Sequence, residues 1–92
     1  MLARHEAKEI LRVDGTDNDA LIDSLIESIP DYIEVSTGMT PEAQDNEPLV
    51  KTVSGFILTL WYYADHADDL KLQRTISQLL KCISLKARTS TK

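Results

Sequence analysis

Asp65, His66, Asp68 and Asp69 fall within five residues and form the one cluster in this chain that could hold a metal or work as an acid and base pair. A hydrolytic zinc centre takes three protein ligands on a rigid frame. This run is short, lies where two helices should meet, and has only His5 to add as a further histidine. Acidic residues at such a junction read as helix caps. The run from Asp14 to Asp19 brings together three more carboxylates, Asp14, Asp17 and Asp19, and invites calcium. Its spacing argues against a calcium loop, because Asp19 stands where the sixth position needs glycine and Leu25 where the twelfth needs a bidentate Glu. No serine lies in a nucleophile elbow, and three glycines cannot build a P-loop or a dinucleotide fingerprint. The single Cys82, among Leu79, Leu80 and Ile83, is expected to be a buried structural thiol. The residues thus predict no catalytic, cofactor-binding or metal-binding group, and the chain is expected not to be an enzyme.

The elements that would carry these residues read as helices. With 92 residues, 42% of them apolar and 27% charged, the chain has room for one domain and one core. A chain of this size buries a modest share of its surface, so assembly is a plausible source of further stability. No apolar run approaches the ~20 residues that span a bilayer, and the first ten residues are charged where a signal peptide is apolar, which predicts a cytoplasmic protein without a membrane partner. The expected fold is all-α, a small bundle of about four helices with no sheet, the longest near residues 18–37 and 48–66.

The first helix, residues 3–11, would bury Leu2, Ala7, Ile10 and Leu11. The chain then leaves it at Gly15, and Thr16 or Asp17 should cap the next helix, with Asp19 complementing its dipole. From Asn18 to Thr37, Leu21, Ile22, Leu25, Ile26, Ile29 and Ile33 keep one stripe. Asp23, Glu27, Asp31 and Glu34 occupy another side, an acidic face without supporting cations. Pro30 should kink or break this helix near residues 27–29, since interior proline costs ~3 kcal/mol against alanine, and Gly38 suits its left-handed end. Residues 39–47 form a polar loop in which Thr40 can cap one turn at residues 41–43. Asn46, Glu47 and Pro48 open a central helix with Leu49, Val50, Val53, Phe56, Ile57, Leu60, Trp61 and Ala64 as its stripe, and Gly55 there points to close approach of another helix. Trp61 belongs to the core stripe, while Tyr62 and Tyr63 sit at its edges and are candidate interface aromatics. Asp68 or Asp69 would cap a fourth helix with Leu70, Ile76, Leu79, Leu80 and Ile83 inward. The organisation expected is one helical domain over residues 1–85 and a mobile basic tail over residues 86–92.

Net charge is −5, and it is segregated. Residues 1–50 hold twelve acids against three bases, a balance of −9; residues 51–92 hold seven bases against three acids, a balance of +4. Such a bipolar chain suits head-to-tail packing of like subunits. The basic fourth helix is too sparse, and the helix before Gly38 too acidic, for stable duplex recognition.

The succession EILRVDGTDNDALIDSLIESIPDYIEVSTG, a polar loop, then EPLVKTVSGFILTLWYYAD, resembles the small head-tail connector (adaptor) proteins of tailed bacteriophages, also known as DNA-packaging proteins. The resemblance spans roughly residues 8–66 and rests on Leu11 to Asp14, on Asp19, Ala20, Leu21, Leu25 and Ile26, on Tyr32 to Glu34, Thr37 and Gly38, and on Val50, Lys51, Val53, Ile57, Leu60, Trp61 and Tyr62. It implies a structural virion protein at the head-tail junction, made in the host cytoplasm. It further implies a homo-oligomeric ring, roughly twelve-fold, under the portal protein, extending the channel that double-stranded DNA passes transiently and linking it to a downstream head-completion or tail protein. On that reading Asp23, Glu27, Asp31 and Glu34 are a candidate subunit or channel surface, and Lys81, Lys86, Arg88 and Lys92 candidate contacts to the portal or a neighbour. An acidic channel wall would repel phosphate rather than grip it. The alternative is a monomeric helical adaptor or regulatory protein that binds another protein through its acidic helix.

Overall fold

The computed structural model describes residues 2–63 and 70–90. Among them are five helices and no strand: α1 (Arg4–Leu11), α2 (Asp19–Thr37), α3 (Pro41–Gln44), α4 (Pro48–Tyr62) and α5 (Leu70–Ser90). The expected four helices are present, and the single turn foreseen after Thr40 is the fifth, α3. Thr40 Oγ1 accepts from the Ala43 amide at 3.3 Å and Pro41 fills the first helical position.

Helix α2 is the hub, packing on each of the other four, while α4 and α5 pack on each other and α1 lies across α2 and α4. The reason is its stripe: Ile22, Ile26, Ile29 and Ile33 are all buried, and they meet Val50, Val53, Ile57 and Leu58 of α4 and Ile76, Ile83 and Ala87 of α5. Leu2, Ala7 and Leu11 close the core from the α1 side. Each such aliphatic side chain contributes about 1.5–3 kcal/mol on burial, which decides where every helix must lie.

That same stripe explains the largest departure from expectation. Pro30 neither breaks α2 nor ends it; the helix runs unbroken from Asp19 to Thr37. Buried isoleucines on both sides of Pro30 hold the two halves in one core, and tertiary packing outweighs the proline cost. The helix end follows expectation: Gly38 is left-handed at φ 83° and its amide donates to the Glu34 carbonyl at 2.7 Å. The Thr37 hydroxyl finishes the turn, donating to the Ile33 carbonyl at 2.7 Å and accepting from the Met39 amide at 3.1 Å.

Other expectations are corrected. Asn18 is the N-cap of α2, in place of Thr16 or Asp17, and its side chain makes no capping bond. Helix α1 ends on Arg12, which itself takes the left-handed conformation at φ 58° ahead of Gly15. Leu21 (50%), Leu70 (68%), Ile10 (42%) and Phe56 (37%) are exposed rather than inward. Cys82 is exposed, because the inward stripe of α5 runs through Ile76, Ile83 and Ala87, and the position before Ile83 turns about 100° away from it. The Gly55 expectation is narrowed: a Cβ there would meet only the Ile10 Cδ1 atom, at 3.4 Å, a flexible side-chain tip rather than another backbone. The basic end expected as a tail begins inside α5, where Lys86 to Arg88 are helical and Ala87 is buried. The expected extension of α4 to residue 66 and the caps at Asp68 or Asp69 lie outside the described residues.

Candidate functional site

The Asp65, His66, Asp68 and Asp69 cluster lies outside the described residues. Among the described ones, no group of three or more His, Cys, Asp or Glu side chains is arranged to hold a metal. The Asp14 to Asp19 run is pulled apart by its neighbours: Asp14 and Asp17 face solvent, whereas Asp19 takes the Lys8 ammonium at 2.9 Å and the Arg4 guanidinium at 3.7 Å. Lys8 also donates to the Gly15 carbonyl, so one lysine ties the turn to both helices.

Several charged side chains are used to join the chain's own helices. Arg4 of α1 donates through Nε to Asp23 Oδ1 at 2.9 Å, and its second nitrogen pairs with the other carboxylate oxygen, a bidentate fork. Lys51 of α4 meets Glu6 of α1 at 2.6 Å, and Glu6 also accepts from the Ala3 amide at 3.1 Å. At the other end Lys86 of α5 pairs with Glu47, the N-cap of α4, at 3.1 Å, while Glu47 accepts from the Leu49 amide. Each partnership lowers the carboxyl it serves. Glu6 is held down by Lys51 and then by the Ala3 amide, Asp23 by Arg4, and Glu47 by the Leu49 amide and then by Lys86.

Two predicted surfaces are altered by this sorting. Of the acidic face, Asp23 is spent on α1, while Glu27, Asp31 and Glu34 take part in none of the described ion pairs. Glu27 and Asp31 are exposed and Glu34 is half-buried. Of the basic set, Lys86 binds Glu47, Lys81 and Arg88 are exposed on α5, and Lys92 lies outside the described residues. The described length of α5 carries five cations and no acid.

Lys81 and Arg88 belong to a groove of about 520 Å³ between α5 and the end of α2, whose walls also include Ser36, Leu80, Ser84 and Leu85. Val35, one position before Ser36, is 88% exposed and Leu85 is 56% exposed. Sequence reading missed this groove; its signal was the absence of bulky residues at Ser77 and Ser84, which lie about one turn from Lys81 and, for Ser84, from Arg88 as well. It also missed Gln44, a buried polar side chain whose amide donates to the Pro30 carbonyl at 3.0 Å and the Met39 carbonyl at 2.9 Å.

Tyr62 and Tyr63 are occupied inside the chain. The Tyr62 hydroxyl accepts from Asn18 Nδ2 at 2.8 Å, the Tyr63 hydroxyl donates to the Leu11 carbonyl at 2.9 Å, and the rings meet edge to face at 4.9 Å. They fix the α1–α2 turn to the end of α4, with part of Tyr63 still exposed. Trp61 stacks edge-on against Tyr32 of α2 at 5.4 Å.

The charge of the described helices is thus partly consumed in positioning the chain's own helices and partly displayed in stripes on α2 and α5. No described helix is long and apolar enough to cross a membrane. Residues 5–85 match the family model of the phage gp6-like head-tail connector proteins, and the chain belongs to that family. The family is structural rather than enzymatic. No curated protein and no solved structure matches the chain.

Proposed function

We propose that this protein is a head-tail connector that assembles as a homo-oligomeric ring beneath the portal of a tailed phage and extends the DNA channel toward the next head-completion or tail protein. The observation that carries the reading is the charge segregation kept by the folded chain. Glu27, Asp31 and Glu34 stand outside the described ion pairs on α2, and α5 displays cations only. A subunit bearing complementary stripes on different helices can bind copies of itself head to tail, and a closed ring follows when the rotation closes. A surplus of acid in such a ring also suits a passage for DNA, because few Lys or Arg contacts retard the moving phosphates.

The connector domain takes in residues 1–85 together with the buried Ala87, and the basic end beyond reaches the portal. Electron microscopy of the full chain mixed with its portal protein tests the function: a ring seated on the portal is expected, and free portal beside unbound chain would refute it. Removal of residues 89–92 tests the portal contact while sparing the Lys86–Glu47 pair and the buried Ala87. Reduced portal attachment is expected, and unchanged attachment would remove the tail from the interface. The second reading, a monomeric adaptor using its acidic helix, is favoured by the same exposed stripe. A persistent monomer that ignores portal and binds a different protein would support it.

A further inference from the structure

Where α3 runs into α4 a pocket of about 340 Å³ opens, and two polar side chains in its wall are buried while carrying hydrogen-bonding capacity that the chain does not use. Gln44 is 5% exposed and Ser54 is 4% exposed. Both amide hydrogens of Gln44 are spent, on the Pro30 and Met39 carbonyls, which fixes the amide's orientation and leaves Oε1 as an acceptor. Among the described residues no hydrogen bond reaches Gln44 Oε1 or involves the Ser54 hydroxyl. Neither oxygen is sealed in the core, since every described side-chain nitrogen or oxygen shut off from solvent has a partner. The pocket is where both open.

The rest of the wall indicates what would satisfy them. Leu2, Pro48 and Val50 give the pocket an aliphatic side, and Asp45 and Glu47 add carboxylates. The one cation of that wall, Lys51, is turned to Glu6, and Lys86 is turned to Glu47. Acceptors prevail at the end of an aliphatic passage, which suits a lysine side chain: its carbon stem covers the apolar side and its ammonium supplies donors.

A second copy of the chain offers such a lysine. The described length of α5 carries five cations and no acid, and of these Lys71, Arg74 and Lys81 are exposed and take part in none of the described ion pairs. Lys81 has Ser77 and Ser84 beside it in its groove, small residues that let a neighbour close on its stem, whereas Arg74 has Leu70, and Lys71 has Arg74, within one turn. A chain cannot turn its own Lys81 into its own pocket. Lys81 lies about 140° around α5 from Lys86, on the side shared with Ser36 of α2, while Lys86 faces Glu47 at the pocket.

We infer that the pocket at the α3–α4 corner is a socket for Lys81 of a second copy of this chain, with the stem against Leu2, Pro48 and Val50 and the ammonium on Gln44 Oε1 and the Ser54 hydroxyl. Each subunit then inserts one lysine into one neighbour and receives one from the other. This rests on the ring reading above and names one of its contacts.

Two experiments on the full chain test it. Rings assembled on the portal from mixed unlabelled and isotope-labelled chain, treated with a carbodiimide, should join Lys81 Nζ to Asp45 or Glu47 of a chain carrying the other label, read by mass spectrometry. Rings in which those carboxylates form no link to Lys81, or are linked to a portal lysine in its place, overturn the inference. Substitution supplies the second test. Lys81→Met keeps the stem and removes the ammonium from an exposed position, and Ser54→Ala removes the hydroxyl; each should weaken self-association by roughly tenfold. The two combined should lose no more than Lys81→Met alone, because both remove the same contact. Losses that add in full overturn the inference. Rings that form unchanged from the Lys81→Met chain also overturn it and leave the ring reading standing, whereas an unaltered chain that stays monomeric with portal present overturns both.

Discussion

The two halves of α2 carry the same kind of residues and use them in opposite ways. Before Pro30, Asp19 and Asp23 are drawn into ion pairs with Arg4 and Lys8 and anchor α1. Toward and beyond it, Glu27, Asp31 and Glu34 stay outside those pairs although the helix continues without a break. The difference lies in what passes overhead, since a short helix with two cations crosses the first half, whereas the described ion pairs join no cation to Glu27, Asp31 or Glu34. An acidic stripe thus acts as an internal fastener where a cationic helix crosses it and stays on the surface where the described ion pairs do not reach it.

Beneath that contrast both halves share one apolar stripe, and the largest expected effects test whether the sharing is equal. Ile22→Ala under the first half and Ile33→Ala under the second should each cost ~2–5 kcal/mol in urea unfolding. A much smaller loss for Ile33→Ala would mean that the second half is packed only loosely and that Pro30 divides the helix energetically. Pro30→Ala probes the junction directly. It restores an amide to the ladder and leaves the Gln44 bond in place, because that bond uses the Pro30 backbone carbonyl. A gain of about 1–2 kcal/mol is expected, read as a rise in melting temperature; a loss would show that the proline ring itself is part of the packing.

A smaller change sharpens the α1 side. Gly55→Ala should stabilise by up to ~1 kcal/mol in thermal melts, since alanine favours the helix and the added methyl meets only the movable tip of Ile10. Destabilisation would mean that α1 is seated more rigidly than its ion pairs require. The subtlest test separates the acids themselves. Asp23→Asn should lower the melting temperature at neutral pH, and Glu27→Gln should leave it unchanged or raise it by relieving repulsion between neighbouring acids. Asp23, Glu6 and Glu47 have folded values below their unfolded ones, so their contribution is present above the ordinary carboxylate range, about 4, and is lost as pH falls through the lowered values. The gap between Asp23→Asn and the unaltered chain should therefore close in acid.

Much of the helical order was legible in the residues because each signal is local. Glu47 and Pro48 start α4, Thr40 and Pro41 start α3, and Gly38 ends α2 with the backbone geometry that favours glycine. The failures share a cause as well. The break expected at Pro30 is a property of an isolated helix, yet Pro30 sits between Ile29 and Ile33 in a core that holds the helix continuous on both sides. The apolar neighbours of Cys82 suggest burial, but a turn of one position on α5 carries it to the surface. Gln44 could not be read at all, since its partners are carbonyls five and fourteen residues earlier in the chain.

The sequence by itself determined an all-helical chain, the placing of most helix ends, the segregation of acid and base, and the connector resemblance that the family match bears out. Those properties depend on spacing and composition within a few helical turns. Only the tertiary structure decided which acids are consumed and which remain on display, that Pro30 is carried inside a continuous helix, and that α2 and α5 enclose a groove lined by Lys81 and Arg88. Each depends on which helix crosses which, and that follows from burying four apolar stripes together in one core.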